Sequence, residues 1–198
     1  KVQLWDTWNL PGEDRGKWEY LTMSKDQLIE LMIYAYEKDL EFFASPFDEE
    51  RFGWTADIGL KINKIASSML EWDKALCDKI VGSGVKTYCS LGKWNRHDPL
   101  PYVQDNVTYM HCLPFYPHSH EVAMENMPWV FSAPITGYSD RSIGIESAKE
   151  AIKRGATTIE KHFTLDHNLQ SPTESAHACS MNLEQLKELR KFCDDRDT

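Results

Sequence analysis

The chain has no apolar run that approaches a membrane span, no CxxC pair, no excess of positive charge and no glycine-rich loop behind its first strand-like segment. Each absence excludes a class. A spanning helix needs about 20 apolar residues, so the chain reads as having no membrane segment. The formal charge is 22 − 31 = −9, which argues against a nucleic-acid binder with its basic face. It leaves room for an anionic substrate held by a few local Lys and Arg side chains. The five cysteines, Cys77, Cys89, Cys112, Cys179 and Cys193, are odd in number and lack metal or redox spacing. Reduced core thiols in a cytoplasmic protein are the expected reading. Internal repeats and low-complexity tracts are also missing.

What remains is an ordinary globular composition. The 198 residues are 41% hydrophobic and 27% charged, enough for one well-buried core. Strand-like and helix-like segments alternate along the chain. Strands are predicted at Val2–Trp5, Glu41–Ser45, Ile62–Ala66, Val85–Ser90, Val107–Cys112, Trp129–Ala133 and Thr157–Lys161. Ser24, Asp73 and Asn182 are predicted helix caps. Helices are expected after Ser24, over Glu49–Leu60, after Asp73, near Glu121–Asn126, over Glu146–Arg154 with Gly155 as the stop, and over Met181–Cys193. A polar loop with Pro11, Gly12 and Gly16 follows the first strand, and Lys93–Asp105 shows no helix signal.

Repeated βα units imply a parallel sheet. A (β/α)8 barrel needs eight strands and about 250 residues. The expected fold is therefore a TIM-type α/β barrel whose first βα unit lies outside this sequence, with residues 1–198 as a single barrel domain. The rival, an open doubly wound sheet, would place a Gly-rich phosphate loop after its first strand.

In a βα barrel, chemistry collects at the C-terminal ends of the strands. Those ends carry Lys1 and Gln3, Ser45-Pro46-Phe47, Lys64 and Ser67, Ser90, the segment His111 to Tyr116, Ser139-Asp140-Arg141, and Lys161 with His162. Lysine, arginine and serine donors on one rim suit a phosphate or a carboxylate. Taken singly, each lysine also reads as a solvated strand flank. His162, after a β-branched strand, is a candidate metal ligand or acid–base group. His111 reads as a core histidine with satisfied ring nitrogens, and His118 and His120 as solvent-exposed.

The most specific word is Gly137–Thr164, GYSDRSIGIESAKEAIKRGATTIEKHFT. It reads as a polar turn, an amphipathic helix, a glycine stop and a short strand. It resembles the signature of the N-acetylneuraminate (sialic acid) synthase family, which includes relatives linked to bacterial and spore-coat polysaccharide synthesis. FFASPF (Phe42–Phe47), NKIAS (Asn63–Ser67), Met110–Cys112 with Tyr116-Pro117, and Ser180-Met181 follow in the family's order.

The resemblance implies a TIM barrel and a synthase, a carbon–carbon bond-forming transferase. Such an enzyme joins phosphoenolpyruvate (PEP) to the aldehyde of N-acetylmannosamine or a related amino sugar, releasing phosphate. It implies Mn²⁺ or Mg²⁺ as cofactor and a homodimer as the assembly. Carried over by position, Lys1, Lys64, Ser67, Ser90 and Ser139 match PEP-binding residues. Gln3 and Tyr116 match residues near the sugar. His162 matches one of two metal-binding histidines, and Lys64 and His162 are the implied catalytic pair.

The departures are as specific as the matches. Arg141 stands where the other metal-binding His is expected, and arginine has no acceptor with which to ligate a cation. It is a candidate anion-binding substitute. Met69 replaces a Glu or Asp, with Glu71 as a nearby stand-in. Pro114 replaces an Asn that donates to PEP, and Thr173 replaces a sugar-side Asp. The first βα unit and the family's C-terminal antifreeze-like domain are expected but not found in this sequence. These departures raise a second reading, a diverged barrel that binds a phosphorylated or anionic ligand without condensing it. A third, a metal-dependent hydrolase, would need several converging ligands where only His162 is placed.

Overall fold

The computed structural model describes residues 1–6, 22–169 and 178–195. The polar loop with Pro11, Gly12 and Gly16, and the departure at Thr173, lie outside them. The described residues fall into two compact units, Lys1–Cys89 with Pro99–Val107, and Ser90–Asp98 with Thr108–Thr198.

The first unit carries β1 (Val2–Leu4), β2 (Ala44–Pro46), β3 (Ile62–Ile65) and β4 (Lys86–Ser90), whose last residue belongs to the second unit. Each strand pairs in parallel with the next, with Gln3 opposite Ser45, Ala44 opposite Asn63 and Lys64 opposite Tyr88. Helices α1 (Lys25–Tyr36), α2 (Glu49–Asp57), the short α3 (Met69–Trp72) and α4 (Lys74–Gly82) supply the crossovers. The starts of α1, α2 and α4 were legible in the sequence, while the short α3 was not predicted. Ser24 and Gln27 form a reciprocal capping box, and Asp48 and Asp73 accept from the third residue of α2 and α4. Such caps satisfy amide donors that a helix start leaves over. Leu4, Leu28, Phe42, Ala44 and Leu60 pack as this unit's apolar cluster.

The second unit carries β5 (Val107–His111), which starts at the boundary, then β6 (Ile135–Asp140) and β7 (Thr158–Lys161). These strands are also parallel in chain order. Its helices are α5 (His120–Asn126), α6 (Glu146–Lys153) and α7 (Leu183–Asp194). Asn182 and Gln185 cap α7 with a second capping box. Gly155 ends α6 at φ +98°, a left-handed conformation that glycine adopts without a Cβ penalty.

One predicted strand is displaced. Trp129–Ala133 is not a strand, and Trp129 and Val130 are largely exposed, with the Arg154 guanidinium 5.1 Å from the Trp129 ring. The strand is Ile135–Asp140, so Gly137–Asp140 is the end of β6 and not a polar turn. Its apolar signal is hidden by Gly137, which permits close approach of the buried Met110. A Cβ at Gly137 would lie 2.7 Å from Met110 Cγ. Gly137→Ala is expected to destabilise the chain by about 1–3 kcal/mol, the usual range for overpacking. Chemical denaturation of the two proteins measures it.

All described cysteines are free thiols, and four are buried. Burial pushes Cys77 and Cys89 up to about 12 and Cys179 to about 11. These groups stay protonated and serve as core residues.

Candidate functional site

Parallel strands put neighbouring residues of equal register on the same face, and successive residues on opposite faces. In the first unit, one face carries Gln3, Ser45 and Lys64, opposite one another across β1, β2 and β3. Lys64 is only 3% exposed, and its ammonium donates to the Ile65 carbonyl at 3.0 Å. Ser67, just beyond β3, is buried as well, and Gln3 is half-buried; Lys1, expected at a C-terminal strand end, instead precedes β1 and is exposed. The Ser45 hydroxyl is buried with no hydrogen-bond partner among the described residues. A polar atom left so is costly unless a ligand or water meets it. Sequence reading placed Ser45 at a strand end but gave it no role. One further expectation fails here. Met69 is buried at the start of α3, while Glu71 is exposed on that short helix and does not stand in for it.

In the second unit, β6 and β7 set out the site. Tyr138 and Ile159 are opposite, and both pack in the apolar cluster that includes Ala151 of α6. Two residues on, Asp140 and Lys161 are opposite each other on that same face. Their side chains are 0% and 1% exposed and form an ion pair at 2.8 Å. Lys161 also donates to the Ser142 carbonyl, and the Ser142 amide donates to Asp140, both at 2.8 Å. Lys161, which reads in sequence as a rim cation, is thereby a clamp beneath the rim.

The alternate residues take the other face. The Ser139 hydroxyl donates to Glu160 at 2.7 Å. The Arg141 guanidinium lies 4.1 Å from the centre of the Tyr116 ring and donates to the Leu113 carbonyl at 2.8 Å. The Tyr116 hydroxyl is 3.4 Å from His162 Nε2, and the two rings meet edge to face. Burial, opposed by the Arg141 charge, holds the Tyr116 phenol well above its ordinary range, so it is a neutral hydrogen-bonding group. Of the sequence-derived residues, the structure brings Tyr116, Arg141 and His162 into one contact chain, with Ser139 on the same face. Glu160 is the acidic member that sequence reading missed; within IEKHF it looks like a strand flank, and only the register exposes it. Ser90 is buried at the end of β4, and Pro114 is exposed.

His111, His118, His120 and His167 have other contacts. His118, expected at the surface, is 6% exposed. Its backbone bonds to Arg141 and Ile143 draw it against the loop after β6. His120 bonds the Ser147 hydroxyl through Nδ1, and His167 bonds the Ser180 carbonyl through Nε2. His111 stacks on Tyr138 with ring centroids 6.0 Å apart. Burial first, and the nearby His118 second, lower the His111 pKa from 6.5 to about 4. The unfolded chain therefore binds a proton between those values that the folded chain does not. Stability is full above pH ~6.5 and falls as the pH drops toward 4, by up to about 3 kcal/mol. Melting curves of the wild type and His111→Gln should diverge less at pH 5 than at pH 7, because the variant has no such proton to take up.

A divalent cation fits the donor set poorly. Among the described residues, no three His, Cys, Asp or Glu side chains group so as to hold a metal. Both Asp140 oxygens already accept hydrogen bonds, and Arg141 brings a positive charge beside His162. Among the described residues, no helix is long and apolar enough to cross a membrane.

Known proteins give this geometry its context. Residues 15–196 match the model of the NeuB family. The chain is 33% identical over 173 residues to the N,N'-diacetyllegionaminic acid synthase of Campylobacter jejuni, covering 81% of this chain and 50% of that protein. It is 28% identical over 182 residues to the N-acetylneuraminate-9-phosphate synthase of Drosophila melanogaster, covering 86% and 48%. The chain thus spans about half the length of the curated relatives it matches. The crystal structure of the N-acetylneuraminic acid (sialic acid) synthetase from Leptospira borgpetersenii, in complex with citrate, superposes with a TM-score of 0.76. That superposition covers 98% of this chain and 70% of the other at 23% identity, which establishes a shared fold. With its parallel βα units, its strand-end residues and a family match spanning nearly its whole length, the chain belongs to the NeuB family.

Proposed function

We propose that this chain is the barrel part of a PEP-dependent condensing synthase. It would join phosphoenolpyruvate to an N-acylated amino sugar, N-acetylmannosamine or a relative, and release phosphate and a sialic-acid-like nonulosonate. The observation that carries this reading is the contact chain of Arg141, Tyr116 and His162, with Ser139 beside it, at the ends of parallel strands in a NeuB-family chain.

The chemistry assigns the roles. PEP brings a phosphate and a carboxylate, and the family resemblance matches Lys1, Lys64 and Ser67 of the first unit, and Ser90 and Ser139 of the second, to PEP-binding positions. Gln3 and Tyr116 would orient the open-chain sugar. The PEP methylene carbon attacks the aldehyde carbon, and His162 gives a proton to the developing alkoxide. Water adds to the cationic C2 centre and loses a proton. The tetrahedral adduct then expels inorganic phosphate, leaving the 2-keto acid. We further propose a TIM-type (β/α)8 barrel, a homodimer and a cytoplasmic setting for the complete protein.

A second reading, an anion-binding barrel without turnover, is favoured by Arg141 alone. One assay separates them. The purified protein, supplied with PEP and a panel of N-acylated amino sugars, is expected to release phosphate only when a sugar is present. PEP binding with no phosphate release from any sugar would favour the second reading.

A further inference from the structure

We infer that Arg141 makes the strand-end site of the second unit a metal-independent anion site, in which a fixed guanidinium supplies the positive charge. The inference rests on reading this rim as the PEP site and adds how its charge is supplied.

The first argument is geometric. Arg141 is 9% exposed, and its guanidinium lies 4.1 Å from the Tyr116 ring centre while donating to the Leu113 carbonyl. Stacking on one side and a carbonyl at one nitrogen fix the plane of the group. A guanidinium held in this way has a fixed place and plane, and its charge and fork geometry suit the oxygens of a phosphate or carboxylate.

The second argument concerns competition. A cation ligated by His162 would sit about 2 Å from a ring nitrogen. His162 Nε2 is 3.4 Å from the same tyrosine whose face carries the guanidinium. A dication placed there would meet a like charge at short range in a half-buried setting, where screening is weak.

The third argument concerns the carboxylates. A metal at this point would need one, and the two close in the chain are committed. Asp140 has turned to the helix-facing side, where Lys161 and the Ser142 amide hold both of its oxygens. Glu160 accepts from Ser139 and contributes a negative charge near Tyr116. This arrangement balances a guanidinium, and it offers a dication no second strong ligand among the described residues.

The test uses PEP as the probe, on the whole chain. Calorimetric titration in EDTA and in excess Mn²⁺ is expected to give dissociation constants within about twofold of each other, and electron paramagnetic resonance is expected to find no stoichiometric protein-bound Mn²⁺. Arg141→Gln is expected to weaken PEP binding at least tenfold with its circular dichroism spectrum unchanged, and Arg141→Lys to recover part of the loss. If Arg141→Gln does not fold, the wild-type titration and resonance spectrum decide alone. Stoichiometric Mn²⁺, PEP affinity that depends on Mn²⁺, unchanged affinity in Arg141→Gln, or no PEP binding by the wild type would each overturn the inference. Phosphate release is read separately, so an inactive chain that still binds PEP in EDTA through Arg141 refutes the synthase reading and leaves this one standing.

Discussion

Lys161→Met is expected to lower the stability of the chain by about 3–5 kcal/mol, the cost of leaving one partner of a buried ion pair without the other. In a domain of this size that is a fall in Tm of roughly 6–20 °C. The reason is the setting of Asp140, whose side chain is 0% exposed and whose salt bridge to Lys161 is 2.8 Å long. Removing the ammonium leaves a buried carboxylate that keeps the Ser142 amide bond but has lost its counter-charge. Replacing both partners, as in Asp140→Leu with Lys161→Met, is expected to recover most of the loss, because two charges no longer need to be desolvated. Thermal melts of the two single variants and the double variant test this directly, and equal losses in all three would contradict it. The pair also has a functional consequence. Arg141 directly follows Asp140, and His162 directly follows Lys161, so the clamp sets the register in which these two side chains meet Tyr116. The double variant should therefore keep its fold and still bind PEP more weakly.

Lys64→Met is expected to weaken PEP binding about 10- to 100-fold, the range for losing a hydrogen bond from a charged donor. Lys64→Arg should not restore it. Asn63, Lys64 and Ile65 are each 3% exposed or less, so the larger planar group would overpack the end of β3. Titration of both variants with PEP measures this. Wild-type affinity in Lys64→Met would contradict the PEP-binding role that the family resemblance gives Lys64. The orphaned Ser45 hydroxyl on the same face makes Ser45→Ala a useful companion. A modest loss of affinity without loss of stability is expected, because its hydroxyl has no described partner to lose.

Much of this was legible in the residues. Ser24, Asp73 and Asn182 announced their helices because capping is local chemistry, decided within four residues. The strand-end serines, Lys64 and Lys161 were legible because βα order alone fixes which end of a strand faces the rim, whereas Lys1 precedes its strand. What was hidden depended on distance in space. β6 was misplaced because WVFSA is the more apolar run, whereas ITGYSD carries Gly137 and Ser139 on one face and Thr136 and Asp140 on the other, which breaks its apolar signal. The Asp140–Lys161 pair and the place of Glu160 follow from a strand register that no single segment encodes. His118 was misjudged because its burial comes from backbone bonds to the loop after β6, not from its own neighbours in sequence. Arg141 was legible as a departure from the family pattern, and its contact with Tyr116 shows what occupies that position.

The central claim is that this rim makes a carbon–carbon bond with PEP. PEP labelled with ¹³C at the methylene carbon, incubated with the chain and an N-acylated mannosamine, tests it most directly by NMR. The account predicts that the label appears as a saturated methylene coupled to a sugar carbon, with inorganic phosphate formed in equal amount. Label that stays in PEP, or appears only as the methyl group of pyruvate, would contradict it.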